Sequence, residues 1–229
     1  MKITKISAQA KNQNRVNIYV DERFALSLDI FQMTEFGLKA GAEIGEAELA
    51  GLVSASEFGK TYARTLEWVM MRPRSEREVR DYLWRRAHKP SYKKDRDGNV
   101  KRDEDGKPVR REQVTVDADA MVARLVEHGY LDDEKFARFW VENRFVKKGV
   151  SQKRLRQELI KKGVASSVIN EVLDGARDEV TEAMKMAEKR RAKYDDEKMM
   201  AYLSRQGFGW DVVQEVIRRL SQSEACGTD

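Results

Sequence analysis

The chain has little of what metal-binding, disulfide-stabilised and membrane proteins need. Its 229 residues include one cysteine, two histidines and three prolines. Because a disulfide needs two cysteines, Cys226 cannot form one within the chain, and a reducing, cytoplasmic compartment is expected. His88 and His128 have no second histidine or cysteine at ligand spacing, which argues against a zinc site. No apolar run reaches the ~18 residues of a membrane span, and the polar start of the sequence does not resemble a secretory signal.

Nucleotide-binding and catalytic motifs are also missing. The sequence contains no G-x-x-x-x-G-K-[ST] and no strand-anchored G-x-G-x-x-G, and GFG at 207–209 is typical of a turn that ends a helix. A metal-dependent hydrolase or nuclease would have to use Asp132, Asp133 and Glu134, but consecutive residues point in different directions round a helix. We therefore expect no catalytic residue, no metal ligand and no cofactor. Asp132 is interpreted as a helix N-cap, with the next two acids in the first turn, where the helix dipole favours negative charge.

The first 57 residues predict a small α+β module. Apolar and polar residues nearly alternate in ITKISAQA, RVNIYV and RFALSLD, with breaks at 12–14 and 21–22, which predicts a three-stranded meander. Three short strands need a cover over one face. DIFQMTEFGLKAG predicts a short helix that Gly37 ends, and EAELAGLVSAS predicts a second short helix.

Beyond this module the apolar spacing is helical, and the pattern repeats. Residues 155–174 align with 199–218 at a shift of 44 residues, with apolar positions meeting apolar positions. At a shift of 76 in the other direction, Ser151 meets Ser75, which begins a capping box with Glu78. The mainly α fold class that we predict is three tandem three-helix repeats in an elongated array, preceded by the α+β module. The repeats span 58–131, 132–175 and 176–220, and a tail follows at 221–229.

A charged insert at about 88–116 interrupts the first repeat. It has few large apolar residues and cannot pack a core. The Asp-Gly pairs at 97–98 and 105–106 are turn sequences, and Val100 and Val109 allow an exposed hairpin about the second pair. Two interpretations stay open for this hairpin or loop insert: a solvated segment, or an arm that contacts a polyanionic partner.

Basic residues concentrate in the second repeat. Lys and Arg outnumber Asp and Glu by 44 to 39 in the whole chain, but between residues 144 and 162 Glu158 is the only acid. Leu155 and Leu159 hold one helix face inward, so the basic side chains are expected to point largely to solvent. A helix that is merely solvated usually mixes its charges, so we favour a face that binds nucleic-acid phosphates or an acidic protein surface. The candidate partner-binding residues are Arg144, Lys147, Lys148, Lys153, Arg154, Arg156, Lys161 and Lys162.

The stretch GYLDDEKFARFWVENRFVKKGVSQKRLRQELIKKGV closely resembles the central motif of the RecX family, regulatory proteins that bind the RecA recombinase. MRPRSEREVRDYL resembles the first-repeat helix pair of that family, and RQGFGWDVVQEVI resembles its third-repeat ending. KITKISAQAKNQNRVNIYVDERFALSL resembles the N-terminal extension of its longer members. The resemblance covers nearly the whole chain except the insert and the tail.

The resemblance implies a non-enzymatic modulator. RecX proteins are three-helix repeats that form a curved, elongated body in the groove of the RecA filament on DNA and typically inhibit recombinase, ATPase and coprotease activities, in DNA repair and the SOS response. The implied partners are the RecA filament and DNA itself, with no membrane, and a monomer is expected. The insert departs from the compact family pattern. The alternative that the residues leave open is a DNA-binding helical-repeat protein that acts independently of RecA.

Overall fold

The structure is a computed structural model of the chain. It describes residues 1–10, 12–89, 92–95, 97–110, 115–145, 149–174 and 178–225, and in these ranges it contains three strands and ten helices. The chain divides into two compact units, one formed by Met1–Met71 and Val79–Tyr130, the other by Arg72–Glu78 and Leu131–Asp229. Within the described ranges, no helix has both the length and the apolar character that crossing a membrane requires.

The first unit begins with the predicted meander. Strands β1 (Ile3–Gln9), β2 (Asn12–Val20) and β3 (Arg23–Asp29) form an antiparallel sheet in the order β1-β2-β3. Alternate residues of β2 are buried, as the period of two predicts, and Ile18 pairs with Ile6 on one side and Leu26 on the other. The two residues between β2 and β3 both have positive φ, which is the geometry of a two-residue hairpin turn. The three-stranded meander is therefore confirmed.

The sheet is covered by helices α1 (Ile30–Glu35) and α2 (Glu46–Met70). Gly37, at φ +61°, follows the end of α1 as predicted. Residues 46–56 are helical as predicted, but they do not form a separate short helix, because α2 continues without a break through residue 57 and into the helix predicted from Phe58.

The small residues near the middle of α2 are sites of close approach to the sheet and α1. The Ser56 hydroxyl donates to the Ser27 carbonyl of β3 at 2.7 Å, and Gln32 of α1 donates to the Ala55 carbonyl at 2.9 Å. A Cβ atom at Gly59 would lie 2.9 Å from the Gln32 side chain. Tight packing between elements, which no local pattern reveals, explains why these residues are small.

Helices α3 (Glu76–His88) and α4 (Ala118–Glu127) follow, and the charged insert lies between them in the sequence. The predicted hairpin about Asp105–Gly106 is present, with the Asp103 amide donating to the Lys107 carbonyl at 2.9 Å. An equivalent turn occurs eight residues earlier, where the Asp95 amide donates to the Asn99 carbonyl at 2.9 Å. The described parts of the insert are thus ordered by a repeated Asp-turn pattern, and nearly all of their side chains are exposed.

The second unit contains two separate three-helix cores. Helices α5 (Asp133–Phe145), α6 (Gln152–Lys161) and α7 (Ser166–Asp174) bury Phe136, Leu155 and Ile169 in the first core. Helices α8 (Glu179–Glu188), α9 (Asp196–Arg205) and α10 (Trp210–Ala225) bury Met199 and Val213 in the second core. The mainly helical fold class with an N-terminal sheet is confirmed.

Candidate partner-binding surface

Helix α6 carries four of the eight basic residues singled out in the sequence, and Lys162 is its C-cap. Ser151 caps its N-terminus by accepting the Arg154 amide at 3.3 Å, and Leu155 and Leu159 anchor it in the core of α5–α7. Gly163, at φ +83°, lies just beyond its C-terminus. A helix that is capped at both ends and anchored by two leucines presents its remaining side chains in a fixed arrangement.

The basic side chains of α6 do not share one environment. Lys153, Arg154 and Lys161 are exposed, and in the described part of the chain neither lysine has a hydrogen-bond or ion-pair partner. The half-exposed Arg156 donates to the Asn170 side-chain oxygen of α7 at 2.5 Å. Lys147 and Lys148, also singled out, lie outside the described residues.

Lys162 points to a carboxylate and not freely to solvent. Its Nζ lies 2.6 Å from Glu78 Oε1 and 4.8 Å from the centre of the Trp140 ring. Arg72 Nη1 lies 3.1 Å from the other oxygen of Glu78. Burial raises the pKa of Glu78, but the hydrogen bonds from Arg72 and Lys162 outweigh it, so the pKa is lowered overall. Lys162 therefore shares the negative charge of Glu78 with Arg72.

Arg144 neutralises the only acid of the basic stretch. Its Nε donates to Glu158 Oε2 at 2.9 Å, and the Trp140 indole N–H donates to the same oxygen at 2.9 Å. Burial raises the pKa of Glu158, and these hydrogen bonds, the one from Arg144 first, bring it below its ordinary value. The single carboxylate of α6 is therefore hydrogen-bonded to α5, and among the described residues it forms no ion pair with Lys153 or Lys161, although its charge also interacts with that of Arg154.

The N-terminus of α3 docks on the α5–α7 core through two hydrogen bonds. Ser75 Oγ donates to the Lys162 carbonyl at 2.8 Å, and the Glu76 amide donates to Asp133 Oδ1 at 2.9 Å. Ser75 also accepts the Glu78 amide, as the predicted capping box requires, but the Glu78 carboxylate binds Arg72 and Lys162 instead of returning to Ser75. We call this contact the first joint.

A second joint repeats the same pattern. Ser151 Oγ donates to the Gln206 carbonyl at 2.7 Å, and the Gln152 amide donates to Glu179 Oε1 at 2.7 Å. In each joint the serine before one helix therefore binds the carbonyl that ends another helix, three helices later in the chain. The alignment of Ser151 with Ser75 was the sequence signal for these joints, although it indicated only a helix cap.

The three acids at 132–134 have separate structural roles. Asp132 accepts the amides of Glu134 and Lys135, each at 3.0 Å, which confirms it as the N-cap of α5. Asp133 belongs to the first joint, and Glu134 pairs with Arg138 at 2.8 Å. Among the described residues, no group of three His, Cys, Asp or Glu side chains is arranged to hold a metal ion.

A cleft of about 420 Å³ lies at the second joint, between α5, α6, α8 and α9. Arg190 follows α8 and holds its guanidinium carbon 4.4 Å from the centre of the buried Tyr202 ring. Arg154 donates to the Gln206 side-chain oxygen at 2.6 Å across the cleft. No carboxylate occurs among the lining residues that the structure describes. Those residues are Arg144, Gly149, Val150, Ser151, Arg154, Met186, Lys189, Arg190, Tyr202 and Gln206.

Comparison with known proteins identifies the family. Residues 1–45 match the family model described as the regulatory protein RecX N-terminal domain, and residues 132–173 match the RecX second three-helix domain. The regulatory protein RecX of Bacillus subtilis (strain 168) is 30% identical over 229 residues, covering 95% of this chain and 76% of the relative. The chain belongs to the RecX family. As the name of these relatives states, RecX proteins are regulatory proteins.

Other RecX proteins match over similar lengths. The RecX of Bacillus licheniformis is 29% identical, covering 99% of this chain and 80% of the relative, and that of Clostridium perfringens (strain SM101 / Type A) is 27% identical, covering 97% and 98%. A crystal structure of regulatory protein RecX superposes with a TM-score of 0.71 at 22% identity, covering 94% of this chain and 98% of that one. The match to the second RecX domain spans α5–α7 and so includes the basic helix.

Proposed function

We propose that this protein binds the RecA filament on DNA and inhibits its recombinase, ATPase and coprotease activities in DNA repair and the SOS response. Membership of the RecX family supports a regulatory role directed at RecA. The observation that carries the choice of surface is that Lys153 and Lys161 are exposed, and unpaired within the described part of the chain, on a helix whose single acid, Glu158, is bound by Arg144. We define the α6 face as Lys153, Arg154, Arg156 and Lys161.

The remaining basic residues have different parts in the proposal. Arg144 and Lys162 act indirectly, because each compensates a carboxylate and so keeps the α6 face positive. Lys147 and Lys148 stay candidates for direct contact. The described residues of the insert between 92 and 110 mix six basic with five acidic side chains, which favours a solvated segment over an arm that binds a polyanion.

The deciding assay is the ATPase activity of RecA on single-stranded DNA, with and without this protein. We expect the wild type to reduce the activity at stoichiometric excess. The triple variant K153E/R156E/K161E should keep its helicity and lose most of this effect, because charge reversal places like charges opposite an acidic partner surface or DNA phosphates.

A matched control reverses three exposed basic residues of the first unit. The variant R23E/K39E/R64E changes the net charge by the same amount at positions outside the α6 face. If the control loses the RecA effect as strongly as the α6 variant, the effect reflects total charge and not this face. An unchanged ATPase rate with the wild-type protein would rule out the RecA proposal, and DNA binding without RecA would then support the alternative function.

A further inference from the structure

We propose that the cleft at the second joint binds a phosphate group, either of a nucleic-acid backbone or of a free nucleotide, without the help of RecA. The cleft collects Arg154 from α6 and Lys189 and Arg190 from the end of α8, and Arg144 of α5, which is already paired with Glu158, lies beside them. Guanidinium groups suit phosphate because their fork of N–H donors matches two phosphate oxygens. A volume of about 420 Å³ is large enough for a phosphate with its attached sugar.

The difference between the two joints explains why this cleft keeps its positive charge. Glu78 lies three residues after Ser75, and Arg154 lies three residues after Ser151. In the first joint Glu78 forms an ion pair with Lys162 at 2.6 Å. In the second joint Arg154 instead meets the neutral Gln206 at 2.6 Å. One joint therefore pairs opposite charges, whereas in the other the cation meets a neutral amide and is not neutralised across the joint.

The arginines of the cleft are held in place before any ligand arrives. The Arg190 guanidinium lies against the face of Tyr202, whose side chain is only 7% exposed and cannot move freely. The Arg144 guanidinium is fixed by Glu158, and that of Arg154 by Gln206. Fixed donors lose less conformational entropy when they bind an anion than mobile surface lysines do.

The N-terminus of α6 is not the source of the proposed binding. Two of its amide groups already have partners, because Ser151 accepts the Arg154 amide and Glu179 accepts the Gln152 amide. An anion in the cleft would thus be bound by side chains, and replacing those side chains should remove the site.

The test uses the whole chain without RecA. The first probe is a fluorescein-labelled oligothymidylate of about 20 nucleotides, whose binding is measured by fluorescence anisotropy across a salt series. The second probe is dTTP, whose binding is measured by calorimetry. The variant R154E/Q206K places in the second joint the ion pair of the first, so we expect it to fold and to bind phosphate at least about tenfold more weakly. The variant K189Q/R190Q should weaken binding similarly, and the slope of log affinity against log salt should fall by about 0.7 for each phosphate that is no longer neutralised.

K39Q serves as the control, because it removes one charge at an exposed position outside both the cleft and the α6 face. If the cleft variants bind only the oligonucleotide more weakly than the wild type does, the ligand is a backbone phosphate. If they bind dTTP more weakly, the ligand is a free nucleotide. If both cleft variants bind both probes as the wild type does, or if neither probe binds the wild type, the proposal is wrong. Circular dichroism and thermal melting establish that each variant is folded. Lys189 and Arg190 lie outside the α6 face, so the two proposals can fail separately.

Discussion

Replacing Gly149 by alanine should destabilise the second joint, because this glycine packs directly on the backbone of α8. A Cβ atom at this position would lie 2.0 Å from the Glu182 carbonyl oxygen and 2.7 Å from Met186 Cγ. The φ angle of Gly149 is not in the left-handed region, so the effect would be one of space and not of backbone conformation. A carbon and an oxygen atom at van der Waals contact are more than about 3 Å apart, so the segment or α8 would have to move by over about 1 Å.

Overpacking of this kind costs typically about 1–3 kcal/mol. The atom in the way is a backbone oxygen within a helix, which cannot rotate aside as a flexible side chain would, so we expect the upper part of that range. Each kcal/mol corresponds to a decrease of about 2–4 °C in Tm for a protein of this length. Because the chain forms two units, one Tm does not describe both. Hydrogen exchange of the α8 amides therefore accompanies thermal unfolding as the measurement.

Gly51 provides a control in which the same substitution should have the opposite sign. It lies within α2, and no atom comes within 4 Å of a Cβ built there. Alanine in a helix interior is favoured over glycine by about 0.5–1 kcal/mol, so G51A should raise the Tm slightly. If G149A is as stable as the wild type and leaves exchange in α8 unchanged, the steric reasoning is refuted.

Other predictions concern the two joints and their charges. The lowered pKa of Glu78 means that its ionised form stabilises the fold above its ordinary pKa of 4.5, and that this stabilisation is lost as the pH falls through the lowered value. In E78Q the free energy of unfolding, measured with urea, should therefore decrease less at acidic pH than it does in the wild type. A pH dependence identical to that of the wild type would contradict the role of the Glu78 ion pairs. D133A should cost about 1–3 kcal/mol by leaving the Glu76 amide without an acceptor, whereas D133N should cost less because the amide oxygen still accepts; equal losses would exclude the hydrogen bond as the cause. S151A should lower the free energy of unfolding by about 1 kcal/mol, because it removes the N-cap of α6. Thermal melting measures this change, and S166A, at the exposed start of α7, is the control.

Local patterns predicted the secondary structure where neighbouring residues decide it. The alternation in β2, the Asp132 N-cap and the helix-ending Gly37 all depend on backbone geometry within a few residues, and the structure confirms each. The helix predicted at 46–56 is present, but its end was misplaced, and the contacts of Ser56 and Ala55 with Ser27 and Gln32 were not foreseen. Those partners lie more than twenty residues away, beyond the reach of a periodicity argument.

By itself, the amino-acid sequence determined that the chain is mainly helical, that its helices recur and that basic residues gather on α6, since helix propensity, caps and period act locally. Only the tertiary structure decided which of those bases are compensated. Lys162 meets Glu78 because the helix starts and ends of the first joint pack together across 84 residues of chain. At the second joint the same packing places Arg154 against Gln206. Charge compensation depends on distances between side chains far apart in the sequence, and only packing fixes those distances.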